Sequence, residues 1–164
     1  MTDARFEDGA DSPLRLIARD GDDLSVLSAL VQDAVLTGAD LRFDRRRRRF
    51  SLLLNRFRWE DEPRAKAGGR AVERVRAVLD FSDVVTVTHQ GLSRDSDTVL
   101  SLLAVTYAPA GTVEAGEPAG PGRITLTFAG DGALALDVEC IEAELSDVTR
   151  PYRAPSGKVP QHPQ

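Results

Sequence analysis

The chain has 164 residues, a formal net charge of −5 and a 41% hydrophobic content that includes few aromatics. That suits one domain with an aliphatic core, and the acidic excess argues against a general nucleic-acid binder. The single cysteine, Cys140, excludes an internal disulfide and a thiolate zinc site. No apolar run approaches the roughly 18 residues that would span a bilayer. No basic-then-apolar leader opens the chain, so a cytoplasmic location is the default expectation.

Residues 1–13 are acidic and polar and read as a disordered tail. Leu14 to Ala18 reads as a short strand. Leu24, Leu27, Leu30, Val31, Ala34 and Val35 recur at helical spacing behind Asp20 and Asp22, which can cap and charge a helix N-terminus. One long helix ending near Thr37-Gly38 is expected. Leu41 and Phe43, then Phe50, Leu52 and Leu54, recur at every second position on either side of five consecutive arginines, Arg45 to Arg49, while Leu53, Phe57 and Trp59 on the opposite parity point to a strand covered on both faces or bulged. This is a β-hairpin with an arginine tip, although no Gly, Asn or Pro marks its turn.

Glu60 to Arg70, with Pro63 and Gly68-Gly69, reads as a linker. Val72 to Phe81 fits helix or strand, and the β-rich stretch Val84 to Thr88 favours strand. Thr98 to Tyr107 is apolar on both parities, as a central strand is. Residues 108–122 are rich in Gly, Pro and Ala and form a long loop. Ile124, Leu126 and Phe128, then Leu134, Leu136 and Val138, flank Gly130-Asp131-Gly132 as a second hairpin. Ile141, Leu145 and Val148 share one helical face, so Cys140 to Val148 is expected to be a short closing helix. The tail from Thr149 reads as flexible. The expected whole is a single α+β domain, residues 14–148, with a mostly antiparallel curved sheet, a roll or partly open barrel. One long helix and a short C-terminal helix would complete it.

The chemistry-bearing residues are sparse. Cys140 sits at an expected strand–helix junction, yet Glu139 and Glu142 flank it and oppose a thiolate, and the alternation points it inward. His89 is the one histidine inside the expected domain, too few for a histidine metal site. Asp137, Glu139, Glu142 and Glu144 read as a solvated acidic face. Gly130-Asp131-Gly132 lies between strands and lacks the helix that a phosphate loop requires. No metal or cofactor is called for. The arginines are the unusual feature: Arg42, Arg45 to Arg49, Arg56 and Arg58 lie within seventeen residues. Guanidinium forks suit phosphates and carboxylates, and Phe57 and Trp59 are near enough in sequence to offer stacking. Arg45, Arg47, Arg49, Asn55, Arg56, Arg58 and Trp59 are therefore the candidate ligand or partner contacts.

Leu52-Leu53-Leu54-Asn55-Arg56-Phe57-Arg58-Trp59-Glu60, Val99 to Val105, and Val138-Glu139-Cys140-Ile141-Glu142-Ala143-Glu144-Leu145 together resemble an uncharacterised bacterial family, domain of unknown function 2948. The resemblance spans roughly Leu14 to Val148. It implies a compact bacterial cytoplasmic protein without assigned activity, and it carries no catalytic residues across. The leading expectation is a non-enzymatic interaction module that binds a protein partner or itself. The alternatives are a binder of RNA or another polyanion through the arginine hairpin 42–58, and a small enzyme using Cys140 or the nearby carboxylates.

Overall fold

A computed structural model of the protein describes residues 13–93, 95, 97–112 and 120–153. The expected N-terminal tail, most of the C-terminal tail and the centre of the 108–122 loop lie outside the described residues.

The period-two pattern builds most of the molecule. In β4 (Arg49–Phe57) Phe50, Leu52 and Leu54 are buried, and in β5 (Glu73–Phe81) Val75, Ala77, Leu79 and Phe81 are. In β8 (Gly122–Phe128) and β9 (Ala133–Val138), Ile124, Leu126, Phe128, Leu134, Leu136 and Val138 are buried in the same way. Successive side chains of a strand leave on opposite faces, so each strand gives one row to the core. All but Val75 of these join a single hydrophobic cluster with Leu100, Leu102 and Val105 of β7 (Val99–Pro109).

The remaining strands are β1 (Arg15–Ala18), β2 (Ala34–Thr37), β3 (Leu41–Asp44), β6 (Val84–Gln90), β10 (Ala143–Asp147) and β11 (Tyr152–Arg153). Every pairing among the described residues is antiparallel, in the order β1-β10-β5-β4-β2-β7-β8-β9-β6, with β11 beside β5 and β3 beside β4. Consecutive β5 and β6 stand far apart in that order, so the sheet rolls over its core at the Ser82-Asp83 corner. Three backbone bonds fix the corner: Ser82 N–H to Glu142 O at 2.8 Å, Glu139 N–H to Asp83 O at 3.1 Å, and Val84 N–H to Arg48 O at 2.9 Å. β1 and β6 are the two ends of the path and do not pair.

The helical part of the expected fold needs correction. The first helix, α1 (Gly21–Leu30), has ten residues, capped by Asp20 accepting from Asp23 N–H at 2.8 Å. It does not reach Thr37. Asp33 takes a left-handed φ of 64° and gives its N–H to Leu102 O, and Ala34 to Thr37 enter the sheet between β4 and β7. Ala34 and Val35 fit helical spacing, but Ala34 and Leu36 equally fit alternation, and the slot in the sheet decides. The expected closing helix is strand β10: Ile141, Ala143 and Leu145 are buried in alternation, and β10 pairs with both β1 and β5. The expected linker at 60–70 holds a 3-10 turn (Trp59–Asp61) and a six-residue helix, α2 (Glu62–Ala67). Val72 to Phe81 is a strand as favoured, beginning at Glu73.

Gly122 shows how tightly β7 and β8 close. A Cβ there would lie 2.5 Å from Ala108 O and 2.6 Å from the Tyr107 ring. Gly122→Ala should cost about 1–3 kcal/mol of stability in a denaturant titration, as overpacking usually does. Gly111→Ala, with nothing within 4 Å of the added carbon, should be close to neutral. Equal effects at the two positions would contradict the packing described.

Candidate functional site

The structure divides the candidate arginines into a buried set and an exposed set. Arg56 is 0% exposed and all five of its N–H donors are used. Nε and Nη2 bond the two Asp147 oxygens at 3.0 Å each, Nη1 and Nη2 bond Glu60 at 2.9 and 2.8 Å, and Nη1 also bonds Phe57 O at 3.0 Å. Burial works against the charge, but the bonds to Glu60 and Asp147 outweigh it and raise the Arg56 pKa. For Glu60 burial pushes upward, and the bonds from Arg56 outweigh it and hold the carboxyl below its usual range. Arg58 is buried against Glu73 at 2.9 Å and Asp61 at 3.6 Å, and Arg70 reaches Asp61 at 2.7 Å.

The aromatics beside them are equally committed. Trp59 donates to Gln32 O at 2.8 Å and packs against Phe57, over whose ring Arg74 stands 4.3 Å from the centroid. Asn55 donates to the Tyr152 hydroxyl at 2.6 Å. Arg56, Arg58 and Trp59 are thus engaged within the protein itself, whereas the buried Asn55 Oδ1 has no hydrogen-bond partner among the described residues.

The hairpin tip differs. Arg45 to Arg49 are exposed and form a knuckle whose turn is made without glycine. Asp44 accepts from Arg47 N–H at 3.2 Å, and Arg48 takes a left-handed φ of 53°. Arg48 is held there by its carbonyl, which receives Val84 N–H, and by its guanidinium on Glu139 at 3.0 Å. Arg47 lies 3.9 Å from Asp44. Arg42, Arg45 and Arg46 have no ionic partner among the described residues. The knuckle is the cationic surface that the sequence indicated. Phe57 ends β4 at the far side and Trp59 follows it, so neither stands beside the knuckle; the rings next to it are half-buried Phe43 and buried Phe50, packed on each other.

The enzymatic candidates do not assemble. Cys140 is half-buried at the β9–β10 corner, not in a helix or the core, and its thiol donates to Asp83 at 3.3 Å. Burial, that bond and the charges of Asp83, Glu142 and Glu139 push its pKa up to about 11, so it stays a thiol at neutral pH. His89 is exposed near the opposite end of the β6–β9 pair, across from Leu134. Asp137, Glu139, Glu142 and Glu144 hold Arg123, Arg48, Arg19 and Arg15 in turn. No group of three or more His, Cys, Asp or Glu suited to a metal occurs among the described residues. Two clefts, of about 230 Å³ beside Leu24 and Tyr107 and of about 420 Å³ beside Pro109 and Arg123, contain neither Cys140 nor His89.

The two sheet ends contrast, and the sequence reading missed this. β1 has four residues, and flanking Arg15 and Arg19 are tied to Glu144 and Glu142. A short edge carrying charge resists further pairing. β6 has seven residues, Val84-Val85-Thr86-Val87-Thr88-His89-Gln90, without Asp, Glu, Lys, Arg or Pro. Val85 is 48% exposed, and Thr86, Thr88, His89 and Gln90 are exposed too. Among the described residues the bond from Val84 to Arg48 is the only backbone hydrogen bond that β6 makes beyond its ladder with β9. The run of uncharged β-formers was visible in the sequence. Its place at the end of the sheet was not.

A family model described as "Protein of unknown function (DUF2948)" matches residues 14–162. No curated protein and no solved structure matches the chain. Among the described residues, no helix is long and apolar enough to cross a membrane.

Arg56→Met should lower stability by about 3–5 kcal/mol, because it leaves the buried Asp147 carboxylate without its partner. A loss under about 1 kcal/mol on chemical denaturation would show that the cluster is not the anchor. The wild-type curve should also carry a Glu60 component. Its folded pKa is lowered, so its contribution is full above the unfolded value of about 4.3 and fades as pH falls through the folded one. The variant's stability–pH slope below about pH 4 should be shallower.

Proposed function

We propose that this chain, which belongs to the DUF2948 family of proteins of unknown function, works as a non-enzymatic interaction module that takes an extended protein segment on the open edge of β6. The observation that carries this reading is the contrast between the two sheet ends. Alternate N–H and C=O groups along an edge strand lack ladder partners and template another strand. Soluble proteins usually blunt such an edge with lysine, proline, a bulge or a cover. β6 has a register shift between Val84 and Thr86, and then presents Val87 to Gln90 regularly and without charge. Main-chain bonds would supply affinity, and the alternating side chains would supply selectivity. Thr86, Thr88 and Gln90 share one face with Asp137, Ala135 and Ala133, while Val87 and His89 share the other with Leu136 and Leu134.

Extended peptides selected by display against the protein should shift the backbone amide NMR signals of Val85 to Gln90 and of β9, and little else. Val85→Lys with Thr88→Lys should abolish those shifts while leaving the thermal transition within a few degrees. Selected peptides that map elsewhere, or a selection that returns none, would count against the reading.

The arginine knuckle supports a second reading, contact with a polyanion. Arg42, Arg45 and Arg46 are exposed and without ionic partners among the described residues, but Phe57 and Trp59 are not beside them to stack on bases. The binding should therefore be indifferent to sequence and should fall steeply with salt, and the triple change Arg45→Glu, Arg47→Glu and Arg49→Glu should remove it. Fluorescence anisotropy of a labelled oligonucleotide at 50 and 200 mM salt measures this. No binding at the lower salt discards it.

A further inference from the structure

The two ends of β6 carry opposite charge. At its start, Val84 is bonded to Arg48, and the knuckle stands beside it with Arg45 and Arg46 uncommitted to any ionic partner among the described residues. At its end, Gln90 runs into the turn containing Asp95 and Asp97. The Ala129–Gly132 turn, with exposed Asp131, packs against that same turn: a Cβ on Gly91 would lie 3.0 Å from Asp131 O, and one on Gly132 would meet the Leu92 side chain. In sequence, residues 91–97 hold two aspartates and one arginine, and exposed Asp131 adds a third aspartate. The ends are about 20 Å apart, at roughly 3.3 Å per strand residue.

We infer that the segment taken on the edge is β6 of a second copy of this chain, paired antiparallel about a two-fold axis. This inference rests on the strand-addition reading above. In such an isologous contact residue i meets j and j meets i. The start of each β6 then faces the end of the other, and each arginine knuckle comes beside the other copy's Asp95, Asp97 and Asp131. Two attractive contacts form for every pair of strands. The strand itself contributes no like-charge repulsion, because it carries no acid or base other than His89. Antiparallel addition also continues the pattern of every other pairing in the sheet.

Sedimentation velocity on the full chain tests this. The wild type at tens of micromolar should run near twice its 17.8 kDa mass, and less so as salt rises from 50 to 500 mM. Arg45→Glu with Arg46→Glu, and separately Asp95→Lys with Asp97→Lys, should each give monomers, since each variant sets like charges against one another at both contacts. Mixing the two variants should restore a dimer, because both contacts are then attractive again. Circular dichroism of each variant confirms that it is folded, and restoration on mixing could not come from unfolded chains. A monomeric wild type at 100 micromolar overturns the self-pairing, while peptide mapping to Val85–Gln90 would still sustain strand addition. A dimer that ignores both charge variants and also Val85→Lys with Thr88→Lys overturns the self-pairing and, if no peptide maps to β6, the edge reading with it.

Discussion

Arg56 joins parts of the chain that are ninety residues apart, and the arrangement of the sheet follows from how completely it is bonded. Isolated, a guanidinium at 0% exposure would be prohibitively costly. Here each N–H meets an acceptor, and two carboxylates balance the charge. Asp147 stands at the end of β10 and also accepts the Leu14 N–H, while its own N–H reaches Leu14 O. One ion pair therefore sets where β4, β10 and the start of β1 lie. Glu60 ties in the turn after β4 and so places Trp59 and the small cluster of Phe57, Ala65 and Val72. With β10 locked between β5 and β1, that side of the sheet closes on a four-residue strand. The long uncharged strand is left at the other side.

The sheet was legible wherever one face meets the core and the other meets water. β8 reads cleanly because Ile124, Leu126 and Phe128 alternate with Arg123, Thr125 and Thr127, and β4, β5 and β9 read as strands because their large apolar residues recur at every second position. The errors fall on short segments in which the same apolar residues satisfy two periods. Ile141, Leu145 and Val148 fit a helix, but Ile141, Ala143 and Leu145 fit a strand, and only the gap between β1 and β5 chooses. Ala34 to Thr37 posed the same ambiguity, resolved by the left-handed turn at Asp33 and the slot beside β7. Local pattern does not contain the partner that decides such cases.

The candidate site was legible in type but not in role. Arg56 and Arg45 are arginines eleven positions apart, yet one is sealed and the other is exposed without an ionic partner among the described residues. The difference is the distance in space to Asp147 and Glu60, and the sequence separation of Asp147 hides it. Burial of the aromatics was equally hidden: Trp59 reads as a stacking ring until its N–H is seen on Gln32. The knuckle did survive as a cationic surface, because five consecutive arginines cannot all find acids at a hairpin tip.

That tip is more than a cluster of flexible charges. A left-handed arginine costs roughly 1–2 kcal/mol relative to ordinary backbone, and Arg48 keeps it because Val84 N–H and Glu139 hold it from two directions. The bond to Val84 fixes the backbone of the knuckle against the first residue of the open edge. The positive knob and the first residue of β6 are thus joined by a main-chain bond, beside the Arg48–Glu139 ion pair. The Gly91 and Asp131 turns close on each other at the far end. Unlike charges thus stand at the two ends of the strand, and a partner laid along it would find them matched in one direction only.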